Sequence, residues 1–304
     1  MFKFPKLSKK ERAWVLYDVA NSAFVLTVIT VLFPILYNEV YMSQAGADWN
    51  EGSAIFKYLT SAIALTVAVL SPVIGAWSNY QGNKKKFFRI FIIIGIIGGF
   101  GIAIPGLDWL LLLAIFTISS IGYNLSNVVY DAFLVDVTDE DRMDEISATG
   151  FAWGYLGSLI PFFIGMIPYL LVTFGMLDES LGHLAISFGF IVACAWWLYY
   201  SLPMLKDVEQ TYSIDADSNS LGKSLMRLGK TFKEIRSYRY IFLFLIAYLL
   251  YIDVVNTVIR LAVNISSDLE VSAPTILGVI ILVQLIGFPS AIIYGRLAKK
   301  FGGK

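Results

Sequence analysis

The chain has 304 residues, 57% of them hydrophobic and only 15% charged, with basic and acidic side chains in equal number. Soluble domains run at about 45–50% apolar and about 25% charged, so this composition excludes an ordinary water-soluble fold and calls for lipid as the solvent. Zero net charge gives no electrostatic reason for a nucleic-acid partner, while one cysteine, Cys194, and one histidine, His183, exclude an internal disulfide and leave too little for a metal site.

A basic tail, residues 1–12, leads into an apolar run at 13–41. That run is too long for a signal-peptide core, and no small-residue cleavage site follows it, so it is expected to stay as a membrane helix. Seven more runs follow at 54–78, 87–106, 109–135, 147–175, 183–204, 238–264 and 274–298. Each suits a helix crossing a hydrocarbon layer about 30 Å thick. Strands of a closed barrel would alternate apolar and polar residues, and Phe91–Ile97 does not. The expected fold class is therefore all-α and polytopic.

Six runs precede a polar stretch and two follow it, giving four expected parts: a tail at 1–12, a six-helix bundle at 13–204, a linker at 205–237, and the start of a second bundle at 238–304. Within the linker, Leu221, Leu225, Leu228, Phe232 and Ile235 recur at helical spacing, with Lys223, Arg227, Lys230 and Lys233 between them. This predicts an amphipathic helix on an anionic membrane face; a solvated linker is the alternative.

Basic residues orient the bundle. Of 23 lysines and arginines, 21 fall in the tail, in the loops at 79–89 and 136–146, in the stretch 205–239 and at the C-terminal end. All lie on one side of an alternating topology. Opposite loops carry Asp48, Glu51, Asp108, Asp178, Glu179, Asp268 and Glu270 instead. By the positive-inside rule, both ends of this chain are expected in the cytoplasm, with the protein in the plasma membrane (the inner membrane in a bacterium).

Two internal echoes bear on architecture. Gly75–Lys84 reads GAWSNYQGNK and Gly295–Lys304 reads GRLAKKFGGK, sharing glycine at positions one and eight and lysine at position ten. Asp18–Ser22, DVANS, is echoed by Asp253–Thr257, DVVNT. Repeats of six helices are how major facilitator carriers are built. Gly75 and Gly295 are expected to allow close helix approach, Gly82 and Gly302 to allow tight turns, and Lys84 to hold the turn at the membrane surface. The pattern resembles the cytoplasmic loop signature of that superfamily, in which position five is usually acidic. Asn79 and Lys299 stand there instead.

Four motifs in order narrow the resemblance: Tyr17–Ser22, Tyr130–Leu134, Ser147–Gly157 and Tyr251–Thr257. Together they resemble the bacterial facilitator branch related to the fungal autophagy-linked vacuolar amino-acid effluxer. That resemblance implies a secondary transporter of about twelve helices, of which this chain would hold the first eight, and a small polar solute, with an amino acid as the implied substrate.

Ionisable and polar residues inside membrane runs are expensive and mark candidates for function. Asp18, Asn21 and Ser22 share one face of the first run; Asn124, Asn127 and Asp131 share one face of the fourth. The two aspartates are read either as an acidic pair that couples transport to protons or sodium, or as shallow structural groups. On the seventh run, Asp253, Asn256, Thr257 and Arg260 are expected on one face, where Arg260 either receives a substrate carboxylate or pairs with an acid. Gln284 is a weaker candidate that polar bridging between helices would also explain. The Gly95–Gly99 and Gly150–Gly154 pairs read as packing. Residues 139–145 read as a solvated loop with Thr138 and Asp141 at capping-box spacing, and Trp14, Trp49, Trp109, Trp153, Trp196 and Trp197 as interfacial anchors. No phosphate-binding glycine loop occurs. A membrane-embedded enzyme would need a nucleophile, base or metal cluster at one depth, which one cysteine and one histidine argue against. A receptor or scaffold that binds without transporting is the remaining rival.

Overall fold

The computed structural model describes residues 5–46, 48–215, 220–235 and 237–302. The long helices among them are α1 (Lys9–Ala45), α2 (Trp49–Ser78), α3 (Asn83–Ile102), α4 (Trp109–Ala132), α5 (Met143–Thr173), α6 (Gly182–Asp207), α7 (Ser220–Ile235), α8 (Arg239–Asp268) and α9 (Ala273–Phe301). Lys304, which closes the second loop signature, lies outside the described residues, as do the side chains of Leu221 and Phe232.

Several helices begin before their apolar runs because polar caps start them. Ser8 Oγ accepts the Glu11 amide at 3.2 Å, and Glu11 Oε2 accepts the Ser8 amide at 2.7 Å. This reciprocal box satisfies two donors that the first turn leaves open. Asp48 caps α2 through the Glu51 amide at 2.9 Å. Asp108 caps α4 through the amides of Leu110 and Leu111. Seven helices among the described residues are long and apolar enough to cross a membrane. Helix α3 is the other expected crossing. Its first turns hold Lys84, Lys85, Lys86 and Arg89, which confines its charge-free part to residues 90–102.

The middle of α1 is unusual. Val25–Leu32 winds as a π-helix, with the Phe33 amide reaching back five residues to the Val28 carbonyl. Pro34 follows at once and has no amide to give the Thr30 carbonyl, so the tighter ladder cannot be kept there.

Helix α1 is the hub. It packs on α5 and α6, α3 packs on α4, and α9 lies along α5. Where lipid surrounds the bundle, side-chain fit and small residues hold helices together. A Cβ on Gly122 would come within 2.6 Å of the Gly95 amide, and one on Gly165 within 2.9 Å of the Gly189 Cα. Gly99 faces Cys194 and Phe24, and Gly95 faces Trp197. Rings fill the remaining space: Phe24 contacts Trp197 with centroids 4.7 Å apart, and Tyr17 contacts Phe88 at 4.8 Å. Trp197 is therefore a core residue, fully buried, and not an interfacial anchor.

Two further expectations need correction. Thr138 does not cap the following helix; its hydroxyl donates to Glu11 Oε1 at 2.7 Å. Residues 139–145 are not simply solvated, since Arg142 pairs with Glu11 at 2.6 Å and Glu145 accepts Lys299 Nζ at 3.1 Å. The reason is packing: the turns after α4 sit on the start of α1, and α9 ends over the start of α5.

The linker starts in contact with the first loop signature. The Ile214 amide donates to the Asn79 carbonyl at 2.9 Å, and the Gln81 amide returns a bond to the Ile214 carbonyl at 2.9 Å. Asn79 thus engages the linker through its backbone. Helix α7 is present where the periodicity predicted it, with Leu225 half exposed and Arg227 over the Tyr80 ring at 5.8 Å.

Candidate functional site

A cavity of 660 Å³ lies among α1, α4, α5 and α8, with Val67 of α2 on its edge. It is bounded toward the basic end of the bundle by Trp14, Leu134 and Ser147, and reaches inward to Asn124 and Arg260. Of the residues singled out in sequence, Asp18, Asn21, Ser22, Asn124, Asn127, Asp131, Asn256 and Arg260 line it. Asp253 and Thr257 are exposed and outside the lining, although Asp253 stands two turns from Arg260 and near enough for its charge to act on the guanidinium. The cavity follows Tyr248, Ile252, Asn256 and Ile259 along α8 and takes in Arg260, so of the four α8 residues it reaches two. Gln284 on α9 is half-buried and outside the lining.

Asp18 is held by the shape of α5. Its Oδ2 lies 3.1 Å from where a Cβ on Gly150 would stand and 3.4 Å from that of Gly154. The small-residue pair is thus a notch that lets the carboxylate sit against the α5 backbone. One helical turn on, Asn21 Nδ2 donates to Asn127 Oδ1 at 3.1 Å, tying α1 to α4. Asp131, one turn from Asn127, is open to the cavity. Two carboxylates therefore occupy the wall made by the first six helices.

The opposite wall carries the cation. Arg260 is the one basic residue of the lining, and it reaches from α8 to donate through Nη2 to Asn124 Oδ1. Asn124 is in turn oriented by its Nδ2 bond to the Ser120 carbonyl at 2.6 Å. A guanidinium carries five donors in a fixed fork, so one bond to an amide leaves others for a guest. Tyr123, Tyr130, Tyr155 and Tyr248 supply amphipathic walls.

Trp14 was missed as a cavity residue, because a tryptophan near the start of a membrane helix reads as an interfacial anchor. It is buried, stacks on Tyr130 at 4.5 Å, and donates from Nε1 to the Tyr130 carbonyl at 3.2 Å.

The loop signatures behave unequally. Gly82 has φ +77°, and Gly302 has φ +84°, the left-handed region that glycine tolerates. Gly295 permits close approach, since a Cβ there would stand 2.7 Å from Ala148 Cβ, whereas Gly75 has open space around it. Close packing at Gly75 is thus not what this structure uses. Lys84 is not at the surface: it is buried, donating to Asp136 Oδ2 at 2.7 Å and the Ala132 carbonyl at 3.0 Å. Its partner Asp136 lies 52 positions away, which no local pattern reveals.

At the acidic end, α2 meets α8. Asn264 Nδ2 donates to Ser53 Oγ at 3.1 Å, Ser53 Oγ donates to Asp268 Oδ1 at 3.1 Å, and Lys57 pairs with Asp268.

Comparison with known proteins agrees with this picture. The family model for vacuole effluxer Atg22-like proteins matches residues 7–304. A protein of Bacillus subtilis (strain 168) named "Uncharacterized MFS-type transporter YxiO" is 41% identical over 300 residues, an alignment that covers 98% of this chain and 70% of that protein. With its all-helical fold and its apolar helices, the chain is a multi-pass integral membrane protein and belongs to the Atg22-like family of membrane transporters.

Proposed function

We propose that the protein is a secondary carrier for zwitterionic amino acids working by alternating access. The observation that carries this reading is the bipolar cavity: Asp18 and Asp131 on the first bundle face a space shared with Arg260 on α8. An α-ammonium group suits the carboxylate wall, an α-carboxylate suits the guanidinium, and the tyrosines suit a side chain of mixed character. Binding the two ends of one solute to two different bundles would draw them together, which is what a rocking carrier needs.

In this reading the first six long helices form one bundle, and α8 and α9 are the first two helices of the second, with α7 lying on the membrane surface between them. The basic end faces the cytoplasm of a plasma membrane by the positive-inside rule. The cavity then opens inward, and the Ser53–Asp268–Asn264 contact closes the outer side. Two carboxylates in a partly dry site tend to share a proton, so Asp18 and Asp131 are the groups proposed to couple transport to protons or, as carboxylate ligands, to sodium.

The test is counterflow of a labelled amino-acid mixture into proteoliposomes holding the full-length protein. Accumulation is expected, and Arg260→Ala should lower it about tenfold or more, the cost of a charge-assisted hydrogen bond. Asp253→Asn, off the cavity, should transport normally. Equal loss in both variants would restore the reading in which all four α8 residues form the site. Binding without flux from folded protein would move the assignment to a receptor or scaffold.

A further inference from the structure

We propose that the groove between the basic ends of α1 and α6 is a binding site for the headgroup of an anionic phospholipid. The groove encloses 720 Å³. Its upper rim is charged: Lys9, Arg12 and Lys206 line it together with one acid, Asp207. Lys9 meets that acid at 2.8 Å while remaining 78% exposed. Arg12 and Lys206 are exposed and have no acidic partner among the described residues. Three cations against one carboxylate leave a net positive rim, with two charges uncommitted.

Below the rim the lining turns apolar. Leu16 of α1 and Leu202 of α6 form the floor, with Tyr199 beside them. Leu202 is 50% exposed and Tyr199 66% exposed, on helices whose length and hydropathy suit a membrane crossing. Their environment on that side is therefore acyl chain. Tyr199 and Tyr200 are in ring contact at 5.1 Å, at the depth where amphipathic rings sit beside headgroups.

This sequence from cationic rim through tyrosine to leucine floor matches one molecule of anionic phospholipid, charge at the surface and chain alongside the helices. A free anion would use only the rim and would leave the apolar floor against bulk lipid. A zwitterionic lipid brings its own ammonium group to a rim already positive. Anionic lipids are concentrated in the cytoplasmic leaflet, which the basic end faces in the reading above, and basic pockets between membrane helices on that side hold such headgroups.

Native mass spectrometry of the detergent-purified full-length protein tests this, with phosphatidylglycerol or phosphatidylcholine added at matched concentration. Retained phosphatidylglycerol is expected. Arg12→Gln with Lys206→Gln should weaken it about fivefold for each charge removed, while Arg12→Lys with Lys206→Arg keeps it. Lys86→Gln with Arg89→Gln, equal in charge but on α3, should leave retention as in the natural protein. Equal loss in both glutamine pairs would replace the site by diffuse attraction to the whole basic end. Equal retention of phosphatidylcholine, or full displacement by inorganic phosphate, would overturn the lipid assignment.

Discussion

Lys84 and Asp136 show how much of this molecule depends on single polar contacts. The side chains are 3% and 0% exposed, and Asp136 Oδ1 also accepts the amides of Thr211 and Tyr212 at 2.7 and 2.9 Å. Removing one partner of a buried ion pair leaves a charge with neither water nor counter-ion and typically costs about 3–5 kcal/mol. Lys84→Met or Asp136→Asn should therefore lower the thermal unfolding midpoint of the solubilised protein sharply. Asp136 should be the worse loss, since the start of the linker hangs on it. Lys85→Gln is the comparison, because its partner Glu209 is 69% exposed and such pairs contribute about 1 kcal/mol or less. Matching midpoints for all three variants would mean that the buried pair is not structurally required. Sequence flagged Lys84 through its place in a repeated signature, but Asp136 looked like any acid in a polar loop. Similarly, the carboxylates and amides of the cavity were legible because charge inside an apolar run is conspicuous. The hydrogen-bond partner of Arg260 was not, because Asn124 lies 136 positions away on another helix.

Helices were more legible than contacts, since apolar length and flanking charge are properties of a segment on its own. The runs ended up longer than the apolar stretches because Ser8 and Asp48 start their helices from the polar side, and α3 begins at Asn83 so that its basic turn is helical. What a run cannot tell is which of its glycines touch a neighbour. Gly122 and Gly278 both lie inside apolar helices, yet a Cβ on Gly122 would meet the α3 backbone at 2.6 Å, and one on Gly278 would meet nothing within 4 Å. Gly122→Ala must push α3 and α4 apart, because backbone cannot rotate out of the way as a side chain can. Overpacking of this kind costs about 1–3 kcal/mol. Gly278→Ala should be neutral or slightly stabilising, by up to about 1 kcal/mol of helix propensity. Melting both variants in the same detergent checks the contrast, and a Gly122→Ala protein as stable as its parent would mean the α3–α4 contact is looser than described. The π-helical stretch of α1 belongs at this scale too: its β-branched composition gave no warning, and the Pro34 that accompanies it is an ordinary sight in membrane helices.

At the scale of the whole molecule, polar contacts join the first six helices to the last two at both ends as well as across the cavity. Glu145 meets Lys299 at the basic end, and Ser53 meets Asp268 and Asn264 at the acidic end. If solute crosses by rocking, the acidic-end contact must break once in every cycle. Ser53 and Asn264 meet through their side chains at 3.1 Å, which puts a cysteine pair at these positions within the span of a short bis-methanethiosulfonate reagent, admitted when the contact opens. The chain's own cysteine packs beside Gly99 and Phe24, away from this contact, so a bridge here can form only between the introduced thiols. Ser53→Cys with Asn264→Cys should transport before treatment, stop once bridged by the reagent, and resume on adding dithiothreitol. Either single cysteine should keep most of its transport after the same treatment. Arrest by the cross-link with solute still bound would locate the block at the outer contact and leave the cavity intact. Continued flux through fully cross-linked protein would mean that the two groups of helices need not separate there, and that the path to the cavity does not run between α2 and α8.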